Sequence, residues 1–444
     1  MAKADPGRRF HALFDKVYRR DVLERAWGLV RANGGAAGID QTTIQDVERY
    51  GVARLLDELA ADLRGGRWRA LPARRVFIPK SGRSGKLRPL SIPVVRDRIV
   101  EAAVRIVIEP IFEADMLECS FGFRPRRSAH DALQVLVDET WNGRRWVAET
   151  DIADCFEAIP HSGLMAAVQE RISDHHVLRL LRGMLRAGVM TDGTITRSDT
   201  GARQGGVLSP CLCNVYLHRL DRQWAERGSG VLVRYGDDLL AMCHSSQDAE
   251  RALSSLRAML GELGLPVKEA KTRVMHLKIG GEGLVFLGFE HHWVRSRNPR
   301  YRHLTYLVRW PSREKMQYAR DRIRELTKRS RLLKSDEYIV RDVNAFLRGF
   351  AAYFRYGNST KKFDQIRQYA IRRLVIVVSK RHKRHRCYGW AQYKADPKHF
   401  GLIDLSRAVV PPRPNKPWRE QPKPSSSKCN PLSPSGDESE SFRP

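Results

Sequence analysis

The sequence predicts an α+β fold: a mixed domain organised around a strand–turn–strand unit, followed by a helical and strongly basic second domain. Three observations carry this expectation. Apolar VLV and LLAM flank Tyr235-Gly236-Asp237-Asp238, and a Gly-Asp pair supplies the positive φ that a tight hairpin needs. Strand-like stretches such as VAETDI (147–152) and LVFLGFE (284–290) are interleaved with stretches of helical period, an order that disfavours a doubly wound sheet. Beyond Pro311 the spacing is helical and Lys and Arg dominate.

In chain order, residues 1–35 read as a basic helical extension with Phe10, Leu13, Phe14, Val17 and Tyr18 at helical spacing. Gly34, Gly35 and Gly38 interrupt it. A second helical stretch covers 44–64. Between Arg74 and Pro93 the strand RRVFI, a Gly/Ser loop and another strand follow. Ile99–Phe112 is helical, and 147–152 is a strand running into Asp151 and Asp154. Residues 211–225 are helical, 231–243 form the hairpin, 247–263 are helical and 284–290 are a strand. Residues 411–444 hold nine prolines and several serines without apolar periodicity, which predicts a disordered tail.

Composition narrows the function classes. Of 444 residues, 42% are hydrophobic and 29% charged, which excludes a wholly disordered chain. The net charge is +29 and the pI about 10.2, a balance that calls for a polyanionic partner. Residues 311–400 contain 24 Lys/Arg against 8 Asp/Glu, so more than half the excess lies in one fifth of the chain. The run Lys380-Arg381-His382-Lys383-Arg384-His385-Arg386 has no acid and repels itself unless phosphates neutralise it. Seven cysteines without a CxxC pair give neither a disulfide framework nor a zinc site, which fits a reducing compartment. No apolar run is long enough to span a bilayer, so the expected setting is the cytoplasm, with no membrane partner. His130, His161, His291 and His292 read as structural, because none stands at ligand spacing from an acid.

Two places put acids beside apolar strands: Asp151 with Asp154, and Asp237 with Asp238. An Asp-Asp pair in a turn is ordinarily just turn chemistry. Here both flanking strands read as buried, so the mutual repulsion requires a counter-charge, and a divalent cation supplies it. With a third acid from a neighbouring strand end, oxygen ligands would converge on two Mg²⁺ about 4 Å apart, an arrangement suited to phosphoryl displacement. On a strongly basic chain this points to nucleotidyl transfer onto a nucleic-acid primer.

The residues around these acids resemble a known family. Tyr235-Gly236-Asp237-Asp238 is similar to the YxDD box of reverse transcriptases, and the blocks around it resemble bacterial group II intron-encoded proteins. These blocks begin with Ala37-Gly38-Ile39-Asp40, then Arg75-Val-Phe-Ile-Pro-Lys80, Gly85-Lys-Leu-Arg88-Pro89-Leu, Ile92-Pro93 and Asp97-Arg98. Ser120-Phe-Gly-Phe-Arg124-Pro and Arg127-Ser-Ala-His-Asp131-Ala-Leu-Gln134 follow. The last are Asp151-Ile-Ala-Asp-Cys-Phe156, Gln204-Gly-Gly-Val-Leu-Ser-Pro210 with Asn214-Val-Tyr-Leu217, and Phe286-Leu-Gly-Phe289. One block alone is weak; their succession in family order is specific.

The resemblance implies a right-hand polymerase, with fingers and palm over 36–292, an antiparallel sheet, and a helical thumb or maturase domain over 300–400. It implies Asp151, Asp237 and Asp238 as catalytic carboxylates holding two Mg²⁺, for which Mn²⁺ can substitute. Lys80, Arg88, Ile152, Phe156 and Gln204 would meet the incoming dNTP, Phe156 as the ring that excludes a 2′-hydroxyl. Tyr235, Gly236, Phe286, Leu287 and Gly288 would lie along primer and template. Arg372, Arg373, Lys380, Arg381, Lys383 and Arg384 are the candidates for RNA contact, and the thumb aromatics Phe346, Phe350, Tyr353 and Phe354 are expected in its core. The implied partners are group II intron RNA, an RNA template with a DNA primer, target DNA and dNTPs, in a bacterial ribonucleoprotein.

The chain departs from the family at several positions. Gly236 replaces the usual Ala, Gln41 and Ser91 replace Gly, and Cys211 and Cys213 replace aliphatic residues; these read as tolerated changes. After residue 400 there is no Cys/His cluster of the family's endonuclease domain, so mobility would use a pre-existing primer. Two other readings stand beside the first: a related reverse transcriptase in a non-intron role such as phage defence, and a non-catalytic RNA-folding maturase. The retention of Lys80, Arg88 and all three acids weighs against the second.

Overall fold

The structure, a computed structural model, describes residues 5, 7–79, 87–396, 399–405 and 409–416. Lys80 and residues 417–444, most of the predicted tail, lie outside the described residues. Helices α1 (Phe14–Val17), α2 (Arg20–Asn33), α3 (Ile44–Tyr50) and α4 (Val52–Arg64) lead into β1 (Ala73–Pro79) and β2 (Leu87–Ile92). Then come α5 (Val95–Glu113), α6 (Ala129–Trp141), β3 (Trp146–Asp151), α7 (Cys155–Ala158), α8 (His161–Gln169) and α9 (His175–Arg186). A short hairpin, β4 (Val189–Thr191) and β5 (Thr194–Thr196), precedes α10 (Ser209–Arg227), β6 (Val231–Tyr235), β7 (Asp238–Cys243) and α11 (Ser246–Glu262). Strands β8 (Arg273–His276), β9 (Leu284–Phe286), β10 (Phe289–Arg295) and β11 (Thr305–Pro311) complete the sheets. Helices α12 (Arg313–Leu326), α13 (Asp336–Phe354), α14 (Thr360–Arg381) and α15 (Arg386–Ala395) follow.

Many boundaries follow from local chemistry. Thr43 and Ser128 open α3 and α6 with reciprocal capping boxes to Asp46 and Asp131, satisfying amide donors that the first turn leaves free. Gly34 closes α2 in the left-handed region at φ 58°. The described chain divides into two compact units between Asp321 and Arg322, with Arg413–Asn415 counting with the first. Residues 305–311, which the resemblance assigns to the helical region, pair along β10 as β11. They therefore belong with the first unit.

The first unit holds three sheets, ordered β6-β7-β3-β8, β11-β10-β9 and β2-β1-β4-β5. Pairings are antiparallel except β1 with β4. The core joins α2, α4, α5 and α8–α11 to one face of the β6-β7-β3-β8 sheet through residues such as Leu59, Ile99, Leu181, Leu217 and Leu256. The N-terminal extension contributes Val17, Leu23 and Ala26 to this same core, and α2 packs on α5. Its apolar stripe needs a partner, so the segment is a wall of the unit rather than a separate arm.

Helix α5 buries charge as well as carbon. Asp97, Arg98 and Glu101 are all nearly inaccessible. Asp97 Oδ2 accepts from Leu71 N at 2.8 Å, and burial pushes its carboxyl up to about 7. The folded chain therefore holds a proton that the unfolded chain releases from pH 3.8 upward, and stability falls as pH rises toward 7. Asp97→Asn keeps an acceptor for Leu71 and removes this slope. Urea unfolding at pH 5 and pH 8 should show the variant gaining on the order of 2 kcal/mol relative to the parent at the higher pH. An equal offset at both pH values would mean that Asp97 is ionised throughout.

The second unit is helical. Val343, Leu347, Phe350 and Phe354 of α13 meet a buried face of α14 that includes Phe363, Ile366 and Leu374. Phe350 lies 4.7 Å from Phe354 and 6.3 Å from Phe363, ring centre to ring centre, so these aromatics are core. Gly389 lets α15 approach α14: a Cβ there would sit 2.3 Å from Val375 O.

Candidate active site

The candidate site grows from the centre of the β6-β7-β3-β8 sheet. Tyr235 pairs with Asp238 across a two-residue turn, Gly236-Asp237, and Gly236 takes φ 65°, the left-handed conformation such a turn demands. Strand β3 ends at Asp151, directly opposite Asp238 in register. Beyond it, Ile152 N donates to Asp237 O at 3.2 Å and Lys268 N to Asp151 O at 2.8 Å. Long-range pairing thus brings the three predicted carboxylates to one sheet end.

The turn is held from below by Arg234, whose guanidinium is fully buried. Its Nε and Nη2 donate to Asp221 Oδ1 and Oδ2 at 2.7 and 2.6 Å. Nη2 also donates to Ser120 Oγ at 2.7 Å, and Nη1 to Asn214 Oδ1 at 3.0 Å and Gly236 O at 3.4 Å. Asn214 Nδ2 in turn donates to Gly122 O at 2.8 Å. Gly122 presses on the hairpin: a Cβ there would stand 2.5 Å from Gly236 N. A Cβ on Gly236 would meet the ring of the exposed Phe123 at 3.1 Å, so a larger residue there would require the ring to shift.

In front of the turn lies a cleft of about 450 Å³. Its lining includes Asp151, Ile152, Phe156 and Asp237 on one side and Ile78, Arg88 and Gln204 on another. With the Gln204 amide oxygen turned toward Arg88, it accepts from Nε and Nη2 at 3.0 Å each, and its nitrogen donates to Pro89 O at 2.6 Å. Ser91 N donates to Gln204 O at 2.7 Å and Glu101 Oε2 accepts from Val207 N at 2.9 Å, so both ends of the Gln204–Gly206 loop are tied. Phe156 sits on α7, its ring 6.3 Å from Phe123 in an edge contact. Of the predicted dNTP contacts, Arg88, Ile152, Phe156 and Gln204 are thus brought together.

Charge in the cleft is arranged around the acids. Asp151 is 4% exposed, its Oδ2 is ion-paired with Lys271 and lies 3.7 Å from Lys268 Nζ. Lys271 Nζ also lies 3.4 Å from Asp238 Oδ1. Burial raises the Asp237 carboxyl above the usual range, with repulsion from Asp151 adding to it. Burial likewise pushes Asp238 up to about 6, against the relief that Lys271 provides. Burial disfavours the Lys271 ammonium, but its contacts with Asp151 and Asp238 outweigh this and raise its pKa.

Asp151 Oδ1 is buried without a hydrogen-bond partner, a vacancy that suits a cation ligand. Among the described residues, however, no group of three or more His, Cys, Asp and Glu side chains forms a metal cage. The three carboxylates meet at the sheet end without closing a cage of their own, as expected for ions that take further ligands from water and substrate. That suits Mg²⁺, which keeps waters and takes remaining ligands from substrate phosphates.

Tyr235 and Gly236 adjoin Asp237 in the turn. Phe286, Leu287 and Gly288 form a second tight turn between β9 and β10, with Leu287 at φ 50° and Gly288 at φ 80°. Phe286 is 3% exposed and belongs to the core; Gly288 abuts Lys315, which lines the cleft. The histidine expectation needs one correction, since His292 Nε2 lies 2.9 Å from Glu290 Oε1. His291 is fully buried and pushed to about 3 by burial, so it is neutral. Gln41 adopts φ 59°, a strained conformation for any residue but Gly, so that substitution is less neutral than its volume suggests. Ser91 is buried with its Oγ unpartnered, and Cys211 and Cys213 pack within α10.

In the second unit, the predicted RNA contacts divide. Arg372, Lys380, Lys383 and Arg384 are exposed. Arg373 donates to Thr327 Oγ1 and O at 3.0 and 3.1 Å, and Arg381 donates to Leu332 O at 3.3 Å and pairs with Asp336 at 2.6 Å. These two tie the helices and are less free for phosphate. Sequence reasoning missed Lys268, Lys271 and Arg234, whose roles depend on pairing of distant segments. The one signal was KEAK just ahead of the unassigned strand β8.

Comparison with known proteins matches two stretches of the chain to described families. Residues 78–304 match the family "Reverse transcriptase (RNA-dependent DNA polymerase)" and residues 316–395 match "Group II intron, maturase-specific domain". The chain is 33% identical over 340 residues to protein YkfC of Escherichia coli, covering 67% of this chain and 86% of that protein. It is 35% identical over 215 residues to the group II intron-encoded protein LtrA of Lactococcus lactis, covering 48% of this chain and 35% of LtrA. A 91 kDa protein in the cob intron of Schizosaccharomyces pombe is 34% identical over 209 residues, 47% of this chain and 25% of that one. The chain therefore spans most of YkfC but about a third of LtrA.

Proposed function

Because the chain belongs to the reverse transcriptase family and carries a group II intron maturase-specific domain, we propose that it is an RNA-directed DNA polymerase of a group II intron that also binds intron RNA to assist splicing and mobility. One observation carries the catalytic part: Asp151 stands opposite Asp238 and beside Asp237, facing a cleft also lined by Arg88 and Gln204.

Asp151 and Asp237 would hold the divalent cations, with Asp238 secondary. Bound there, the cations would lower the pKa of the primer 3′-hydroxyl and neutralise charge on the triphosphate. Attack of that oxygen would form the new O–P bond at the α-phosphate as the bond to the β-phosphate breaks, with pyrophosphate leaving and the hydroxyl proton passing to solvent water. Arg88, held by Gln204, presents a charge-assisted fork to the triphosphate. Lys271 stabilises the carboxylates while no cation neutralises them. Tyr235 and Gly236 would support the primer end, and Phe156 would close the space beside the sugar 2′-carbon. The exposed cations Arg372, Lys380, Lys383 and Arg384 would contact RNA phosphates. No helix among the described residues is long and apolar enough to cross a membrane.

The full chain with poly(rA)/oligo(dT), dTTP and Mg²⁺ should extend the primer, and absence of product would overturn the polymerase reading. Phe156→Ala should raise incorporation of UTP relative to dTTP about tenfold or more. Unchanged sugar selection would leave the ring as packing only.

A further inference from the structure

Phe123 is unusual on two counts. Its ring is 47% exposed, although an aromatic side chain gains most from burial. Its backbone takes φ 59°, a left-handed conformation that a bulky residue avoids. Strain of this kind persists where the surroundings enforce it, and it gathers at functional sites.

The chain enforces it from both sides. Ahead of Phe123, Ser120 forms a parallel bridge with Arg234, Phe121 N donates to Arg234 O at 2.9 Å, and Gly122 O accepts from Asn214 Nδ2 at 2.8 Å. Behind it, the Arg124 guanidinium donates to Glu113 Oε1 at 2.8 Å and to the carbonyls of Leu117 and Ser120 at 2.6 and 2.8 Å. With both neighbours fixed, the ring is held where it stands.

There it meets three residues of the candidate site. Its centre lies 6.3 Å from that of Phe156 with the planes at 76°, and 6.4 Å from that of Tyr235 at 41°. A Cβ on Gly236 would stand 3.1 Å from its edge. An edge-to-face pair fixes direction as well as distance. Phe156 needs such support: α7 has four residues, and its N-cap Asp154 is itself left-handed at φ 43°. A single turn of helix does not hold itself.

We propose that Phe123 is a positioning residue for sugar selection, which sets the depth of the Phe156 ring in the cleft and couples that depth to the Gly236 turn. The inference rests on the polymerase reading above and extends it to a residue outside the described lining of the cleft. A ring that only covered apolar surface would tolerate any bulky replacement. One that places Phe156 requires an aromatic edge, because a 2′-hydroxyl is a single oxygen and a small shift of the ring admits it.

The test uses the full chain on poly(rA)/oligo(dT) with Mg²⁺ and compares kcat/KM for dTTP with that for UTP. Phe123→Ala should lower this preference about tenfold through UTP while dTTP incorporation stays within about threefold. Phe123→Leu should behave like Ala, and Phe123→Tyr should keep the parent preference. In Phe123→Ala/Phe156→Ala the preference should fall no further than in Phe156→Ala, since the first ring acts through the second. With 4-fluorophenylalanine at position 156, Phe123→Ala should shift the fluorine resonance of the folded chain, a readout independent of activity. An unchanged preference in Phe123→Ala would overturn the proposal, as would an unmoved resonance. Equal losses for dTTP and UTP would overturn it in favour of support for the turn alone, and additive losses in the double variant in favour of direct contact with the nucleotide. Absence of product from the unaltered chain would overturn the polymerase reading and sugar selection with it, whereas product with an unchanged preference sinks this inference alone.

Discussion

Asp237→Asn/Asp238→Asn should reduce DNA synthesis on poly(rA)/oligo(dT) at least a thousandfold while leaving the chain folded. A thousandfold corresponds to about 4 kcal/mol of barrier, within what cation-assisted charge stabilisation supplies to such a displacement. The substitution removes carboxylate charge while keeping shape, and neither side chain is part of the core. Stability should hold or rise, because burial raises both carboxyls and Asp151 adds repulsion. Thermal unfolding of the variant therefore serves as the control. Equal product from variant and parent would remove these acids from the catalytic assignment, and a lowered melting temperature would show that they stabilise the turn instead.

Arg234→Ala should cost about 3–5 kcal/mol, the usual result of stripping one partner from a buried ion pair. Arg234 and Asp221 are both 0% exposed in their side chains, so water cannot replace the lost bonds. Ser120, Asn214 and the Gly236 carbonyl lose a donor at the same time. Arg234→Lys should recover little, since one ammonium cannot reproduce a bidentate fork. Arg234→Met/Asp221→Leu should regain much of the stability, because it leaves no unpaired charge. Its polymerase activity should stay low, because nothing then holds the turn carbonyl. Urea denaturation decides the first point; a loss under about 1 kcal/mol for Arg234→Ala would mean that the pair is not the anchor of the hairpin.

The difference between these residues and the acids explains what could be read in advance. Asp237 and Asp238 sit in a turn whose two strands adjoin it in the chain, so period and turn chemistry suffice to find them. Phe350, Phe354 and Phe363 fall at helical spacing, and their packing together follows from it. Arg234 lies in an apolar strand and reads as an interruption; its partners Asp221, Asn214 and Ser120 come from a helix and a loop. Lys271 meets Asp151 across a separation of 120 residues, because β8 lies beside β3, and strand order within a sheet has no local signature. The N-terminal stripe was legible as amphipathic, but its partner α5 was not.

The sequence by itself determined the positions of the carboxylates, the hairpin that presents two of them, the basic helical region and the order of blocks that marks the family. These are contiguous patterns, set by φ preference, side-chain period and charge. Tertiary structure alone decided that Asp151 faces Asp238, that Gln204 orients Arg88 and that Lys271 stands among the acids. Each of these depends on which distant segments share a sheet or a packing face, and that choice belongs to burial summed over the whole chain rather than to any local run of residues.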